Sequence, residues 1–73
     1  MDDQTQYRLT LLSGGRMVME GTWFDAAVAD RKFRSWIGEY SGLKDTRIVL
    51  EEQAGPAGEW LVVKTWPQET GAQ

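Results

Sequence analysis

The side chains that most often carry out catalysis are missing from this chain, because its 73 residues include no histidine and no cysteine. Serine–histidine–acid triads and cysteine–histidine pairs are therefore impossible. Neither a disulfide nor a zinc site with thiolate or imidazole ligands can form. Carboxylates are left as the candidate acid–base groups and metal ligands.

The carboxylates do not have the spacing of a catalytic pair or of a calcium loop. Glu51 and Glu52 are adjacent, and neighbours on a strand point to opposite faces of a sheet, so we interpret them as solvated edge residues. Asp25 and Asp30 fit the cap and the surface of a helix. We therefore expect no enzymatic activity, no metal, no cofactor and no small-molecule substrate.

A basic cluster of Arg31, Lys32 and Arg34 lies on the outer side of that predicted helix. Nucleic-acid binding depends largely on neutralising phosphates, and the cluster could be extended by Arg16, Lys44 and Arg47. The net charge of −3 argues against this partner, and a charged helix face is usually only solvated. Weak nucleic-acid association through this face is the alternative function.

Tryptophan is the other unusual feature, with four residues in a short chain. Each aromatic side chain can bury roughly 150–250 Å², which helps a small domain that lacks disulfides and metals. Trp23 and Trp36 are expected in the core. Trp60 and Trp66 fall on the last predicted strand, and exposed tryptophan is a favoured anchor at protein interfaces.

Alternating polarity from Tyr7 to Leu12 predicts a first strand, and the run from Arg16 to Trp23 predicts a second. Gly14-Gly15 lies between them, and no helix follows directly, so we interpret it as a hairpin turn rather than a phosphate loop.

Two hairpin registers compete. A two-residue turn would place the Glu20 carboxylate opposite Leu9, whereas a three-residue loop with Gly15 left-handed places Met19 there instead. We predict the three-residue loop, because a slip of one residue exchanges the two faces. Arg8 then faces Glu20 on the outer side, and the inner face comprises Tyr7, Leu9, Leu11, Met17, Met19 and Trp23.

A helix is predicted from Asp25 to about Ser41, with Asp25 as the N-cap and Thr22 as the rival cap. Gly42 occupies the place of a left-handed C-terminal residue. Gly38 costs roughly 1 kcal/mol inside a helix, and close contact with a neighbour would explain its presence. The apolar side of the helix carries Ala26, Ala29, Phe33, Trp36, Ile37 and Tyr40.

The third strand is predicted from Thr46 to Glu52 and the fourth from Glu59 to Trp66. Simple alternation divides the fourth strand into two faces. One holds Trp60, Val62, Lys64 and Trp66, and the other holds Leu61, Val63 and Thr65. A helix can cover only one of these faces, and the choice is open.

These elements predict a single α+β domain from residue 7 to residue 66, a two-layer ββαββ fold. Its four-stranded, mainly antiparallel sheet carries one helix packed on one face. Residues 1–6 and 67–73 are expected to be disordered tails. The strand order cannot be read. No signal peptide or membrane-spanning run is visible, and the lack of cysteine fits a cytoplasmic protein.

The segments YRLTLLSGGRMVMEG, FDAAVADRKF and TRIVLEE…GEWLVVKTW follow in the order hairpin, helix, hairpin. Over Tyr7 to Trp66 this layout resembles small proteins of unassigned function from actinobacteria and their phages. Some phage-encoded inhibitors of host defence, including certain anti-CRISPR proteins, are similar in size and layout. The resemblance implies a non-enzymatic role through protein contact and carries over no binding residues.

The function expected from the sequence is therefore a small protein–protein interaction module, derived from a phage or mobile element. Its partner is another protein or a second copy of the chain, with neither a membrane nor nucleic acid involved. The candidate contact residues are Trp60, Val62 and Trp66.

Overall fold

The computed structural model describes residues 5–54 and 57–67. It contains β1 (Tyr7–Ser13), β2 (Arg16–Trp23), α1 (Ala26–Tyr40), β3 (Thr46–Ala54) and β4 (Glu59–Trp66). The strands form one sheet in the order β2-β1-β3-β4, and every neighbouring pair is antiparallel. The helix packs on one face, so the predicted two-layer α+β fold is confirmed.

The first strand begins at Tyr7 and the last strand ends at Trp66. Gln6 is an exception to the predicted tail, because its carbonyl accepts a hydrogen bond of 2.8 Å from the Gln53 amide. Residues 1–4 and 68–73, which make up most of the predicted tails, lie outside the described residues. So do residues 55–56, between β3 and β4.

The core lies between the helix and the two central strands. Leu9 and Leu11 of β1 are paired across the sheet with Leu50 and Ile48 of β3, and these four side chains are buried. Phe33 and Ala29 close the core from the helix. Each alternate residue of a strand faces the same side, so two strands supply one continuous apolar surface.

The predicted hairpin loop is wrong, because Ser13 pairs with Arg16 around the two-residue turn Gly14-Gly15. Both glycines have positive φ, 61° and 83°, as a tight hairpin turn requires. The pairing register of β2 with β1 then shifts by one residue, because Val18 forms a bulge and the next residue, Met19, pairs with Leu11.

Met19 is therefore on the inner face, as predicted, and opposite Leu11 rather than Leu9. Met17 pairs with Leu12 on the outer face and is 60% exposed, so its predicted place in the core is wrong. A bulge adds one residue to a strand just as a longer loop would, which is why loop length alone did not determine the register.

The helix begins as predicted, with the Asp25 carboxylate accepting hydrogen bonds from the amides of Ala27 and Val28 at 2.8 and 3.2 Å. These bonds satisfy donors that have no partner inside the helix. Thr22, the rival cap, lies within β2. After the helix, the left-handed residue is Asp45, with φ 50°, so the role predicted for Gly42 is wrong.

Two glycines differ in what surrounds them. A Cβ atom at Gly38 would meet nothing within 4 Å, so the predicted close contact there is wrong. A Cβ atom at Gly21 would lie 2.6 Å from Cη2 of Trp23, because the indole folds back over its own strand. That ring packs edge-on against Trp36, with 6.4 Å between centroids, and both tryptophans border the core as predicted.

Within the described part of the chain, no helix has the length and apolarity needed to span a membrane.

Candidate functional site

Strand β4 contains a bulge that divides it into two parts. Lys64 pairs with Leu50 and Val62 pairs with Glu51, which leaves Val63 as the extra residue. Because paired residues share a face, Lys64 and Trp66 face the helix, while Val62 faces the open side of the sheet. The prediction that Trp60, Val62, Lys64 and Trp66 share one face is therefore wrong.

The part of β4 after the bulge belongs to the helix-covered side. Trp66 pairs with Ile48 and packs against the core cluster. The Lys64 ammonium donates to the Asp30 carboxylate on the helix and lies 5.1 Å from the centre of the Phe33 ring. The Trp66 side chain therefore contributes to core packing, although the sequence analysis named it as a candidate contact residue.

Asp30 connects the helix to this part of β4 and also forms an ion pair with Arg34 at 3.0 Å. The hydrogen bond from Lys64 is the main cause that lowers the pKa of Asp30 below its usual 3.8, and the charges of Lys64 and Arg34 add to it. Partial desolvation of the carboxylate, whose side chain is 29% exposed, raises the pKa and offsets part of this effect.

Trp60 lies on the open side and is held by a charged network. The Cζ atom of Arg8 is 4.2 Å from the centre of the Trp60 ring. The same guanidinium forms ion pairs with Glu51 at 2.9 Å and Glu20 at 3.7 Å. The predicted approach of Arg8 to Glu20 is confirmed, although Arg8 pairs directly with Thr22. Trp60 is thus half-buried beneath the Arg8 guanidinium and is not a freely exposed anchor for a partner.

This network also corrects the interpretation of Glu51 and Glu52 as solvated edge residues. Strand β3 is central in the sheet, and Glu51 is paired with Arg8 in a contact where its side chain is only 18% exposed. Glu52 pairs with Tyr7 and so faces the other side. Among the described residues, no three acidic side chains are grouped to hold a metal ion.

The most exposed apolar part of β4 is the β4 patch, which we define as Leu61, Val62 and Val63. These side chains are 54%, 60% and 46% exposed, respectively. Exposed side chains follow one another here, rather than at every second position, because the bulge displaces Val63 from regular alternation. Strand β4 is also the last strand of the sheet, so within the described residues its outer backbone groups pair with no other strand.

Sequence reasoning placed Leu61 on the face opposite to Val62, as the structure does, but placed Val63 with Leu61, whereas Val63 is the bulged residue. The missing information was the bulge, which depends on the pairing with β3. The available sequence signal is the run of three apolar residues, because a strand that is covered on only one face normally alternates apolar and polar residues.

The basic cluster is less concentrated than the sequence indicated. Arg31 and Lys32 are exposed on the outside of the helix, whereas Arg34 is paired with Asp30. Arg47 alternates with the buried Ile48 and therefore faces the open side of the sheet. The proposed extension to Arg47 is thus wrong, because the sheet separates it from the helix surface. The other proposed members, Arg16 and Lys44, lie exposed near the hairpin end.

The chain matches no protein-family model, no curated protein and no solved structure at a significant level.

Proposed function

We propose that this protein is a small, non-enzymatic protein–protein interaction module that binds through the β4 patch. The observation that carries the proposal is the run of exposed apolar side chains, Leu61, Val62 and Val63, on an outermost strand. Burial of apolar surface yields about 25 cal/mol per Å², and backbone groups on a free strand edge can pair with an added strand.

Strand β4 has features that oppose pairing with another strand as well as an apolar patch that favours binding. Edge strands are commonly protected from pairing by a lysine, a proline, a β-bulge or an inward-pointing charge. The only lysine of β4 is Lys64, which the carboxylate of Asp30 holds on the helix side. Strand β4 therefore has two of these features, the bulge at Val63 and the inward-pointing Lys64, and the exposed apolar side chains of the β4 patch are what favour binding.

The resemblance to small phage proteins makes an origin in a phage or mobile element part of the same proposal. A cytoplasmic location belongs to it as well, since a chain without cysteine gains nothing from an oxidising compartment. A role in inhibiting a host process would need only a binding surface and no chemistry.

Site-specific photo-crosslinking in the cells that produce the protein would test this proposal. A photoreactive residue replaces Val62 in one variant and Arg31 in a matched control on the exposed helix face. We expect a discrete protein adduct from position 62 and none from position 31. Adducts at 31 alone, or none at 62, would contradict the proposal. Crosslinks to nucleic acid at 31 would support the alternative function.

A further inference from the structure

We infer that the occupant of the β4 patch is the β4 strand of a second copy, paired antiparallel so that Val62 lies opposite Val63 of the other chain. This inference rests on the proposed function and specifies its partner. The two sheets would join into one sheet of eight strands about a twofold axis, since each contributes four.

The bulge favours a second copy over an ordinary strand, because a second copy can pair with every residue of β4. Before the bulge, odd-numbered residues such as Leu61 face the helix side. After the bulge, even-numbered residues such as Lys64 face that side. A regular strand keeps its faces matched along all of β4 only by leaving Val63 unpaired, as β3 does. A second copy contributes the same extra residue at the same point.

Only a register centred on the two bulges keeps all eight residues of β4 on matching faces. With Val62 opposite Val63, Leu61 lies opposite Lys64, Trp60 opposite Thr65, and Glu59 opposite Trp66. The first and third of these outer pairs lie on the helix side, and the second lies on the open side, as the pairing with β3 requires. If the register shifts by one residue in either direction, Leu61 or Val63 lies opposite a residue whose side chain points to the other side of the sheet.

Charge complementarity favours the same register. The exposed Glu59 lies diagonal to Lys64 of the second copy on the helix side, within reach of a long side chain. The twofold axis produces this contact twice, and no two like charges are directly opposite. The methylene chain of Lys64 can cover Leu61 of the other copy while its ammonium remains at the Asp30 carboxylate.

The size of the contact sets the expected affinity. A standard stable interface buries about 800 Å² per partner, and one edge strand of eight residues with three exposed apolar side chains offers less. We therefore expect a weak dimer that forms with rising concentration, and pairing through β4 alone stops at two chains because it consumes β4 on both copies.

Sedimentation equilibrium of the purified protein from micromolar to millimolar concentration would test this inference. The test variant is Val62→Lys, which places two ammonium groups at the centre of the contact. The matched control is Val18→Lys, because Val18 is the bulged valine of β2 and is 54% exposed. Thermal unfolding of each variant would show whether the fold is retained.

We expect the wild type and Val18→Lys to form a dimer, and Val62→Lys to associate at least about tenfold more weakly, since like-charge juxtaposition costs more than about 1.4 kcal/mol. Hydrogen exchange should show concentration-dependent protection of β4 amides but not of β2 amides. A wild type that stays monomeric at millimolar concentration would overturn the inference, as would equal weakening by both lysines or growth beyond dimers. A monomer that still gives a crosslinked adduct from position 62 in cells would overturn only this inference and retain the proposed function.

Discussion

Strands β2 and β4 flank the same central pair, and each carries a bulge with an exposed valine, Val18 in β2 and Val63 in β4. They differ in how much of each strand packs against the helix and the core. Strand β2 leads directly into the helix, and its residues after the bulge, Met19 and Trp23, pack against the core. Strand β4 lies on the far side, where the helix reaches it mainly through Lys64.

The difference shows how one helix covers a sheet unequally. The helix packs on β1, β2 and β3, so the first half of β4 receives no cover and its apolar side chains stay exposed. In β2 the exposed apolar residues, Met17 and Val18, lie beside the hairpin turn instead. Among the described residues, β2 is an outermost strand too, so apolar surface and a free strand edge coincide on both, in a run of three residues on β4 and of two on β2.

The largest effect should separate the two tryptophans of β4. Trp66→Ala removes a side chain packed against the core and should lower the free energy of unfolding by about 3 kcal/mol. Trp60→Ala removes a ring that contacts Arg8 on the open side and should cost about 1–2 kcal/mol. Urea denaturation would compare them, with Trp66→Phe as the milder variant if the alanine variant does not fold. Equal losses would show that both rings serve the core.

A smaller effect should come from the packing of β2. Gly21→Ala forces the Trp23 ring away from its place against Trp36, and overpacking of this kind costs about 1–3 kcal/mol. Gly38→Ala is the matched control, because the added methyl group meets nothing and the helix gains up to about 1 kcal/mol. Opposite shifts of the unfolding midpoint are expected, and shifts of the same sign would contradict this account of β2.

The link between β4 and the helix should depend on pH. Because folding lowers the pKa of Asp30, its contact with Lys64 stabilises the fold fully above the usual pKa of 3.8. That stability is lost as the pH falls through the lowered value. Asp30→Asn should therefore unfold at a lower temperature than the wild type at pH 7, and the difference should disappear in strong acid. A difference that persists there would mean that the substitution acts through packing.

The smallest effect is expected in the β4 patch itself. Val62→Thr keeps the shape and strand propensity of the side chain at an exposed position, so the free energy of unfolding should change by no more than about 0.5 kcal/mol. Urea denaturation at low protein concentration, where a dimer would not contribute, is the appropriate measurement. A loss above about 1 kcal/mol would show that Val62 is buried in the monomer.

Much of the fold could be predicted because it depends on local patterns. Asp25 caps the helix, alternate residues of β1 face inward, and all five elements lie close to their predicted bounds. The register of the hairpin and the faces of β4 could not be predicted in this way. Both depend on a bulge, and a bulge is a relation between two strands that leaves no reliable mark on either one.

The sequence by itself determined that this chain has no histidine or cysteine side chains, where its helix begins, and that apolar residues would exceed what one helix can cover. Those properties follow from residue types and from contacts within a few residues along the chain. Only the tertiary structure decided that Trp66 belongs to the core, that Trp60 lies beneath Arg8, and that Leu61, Val62 and Val63 are exposed together. The physical reason is the pairing of β4 with β3, where one additional residue reverses the direction in which every following side chain points.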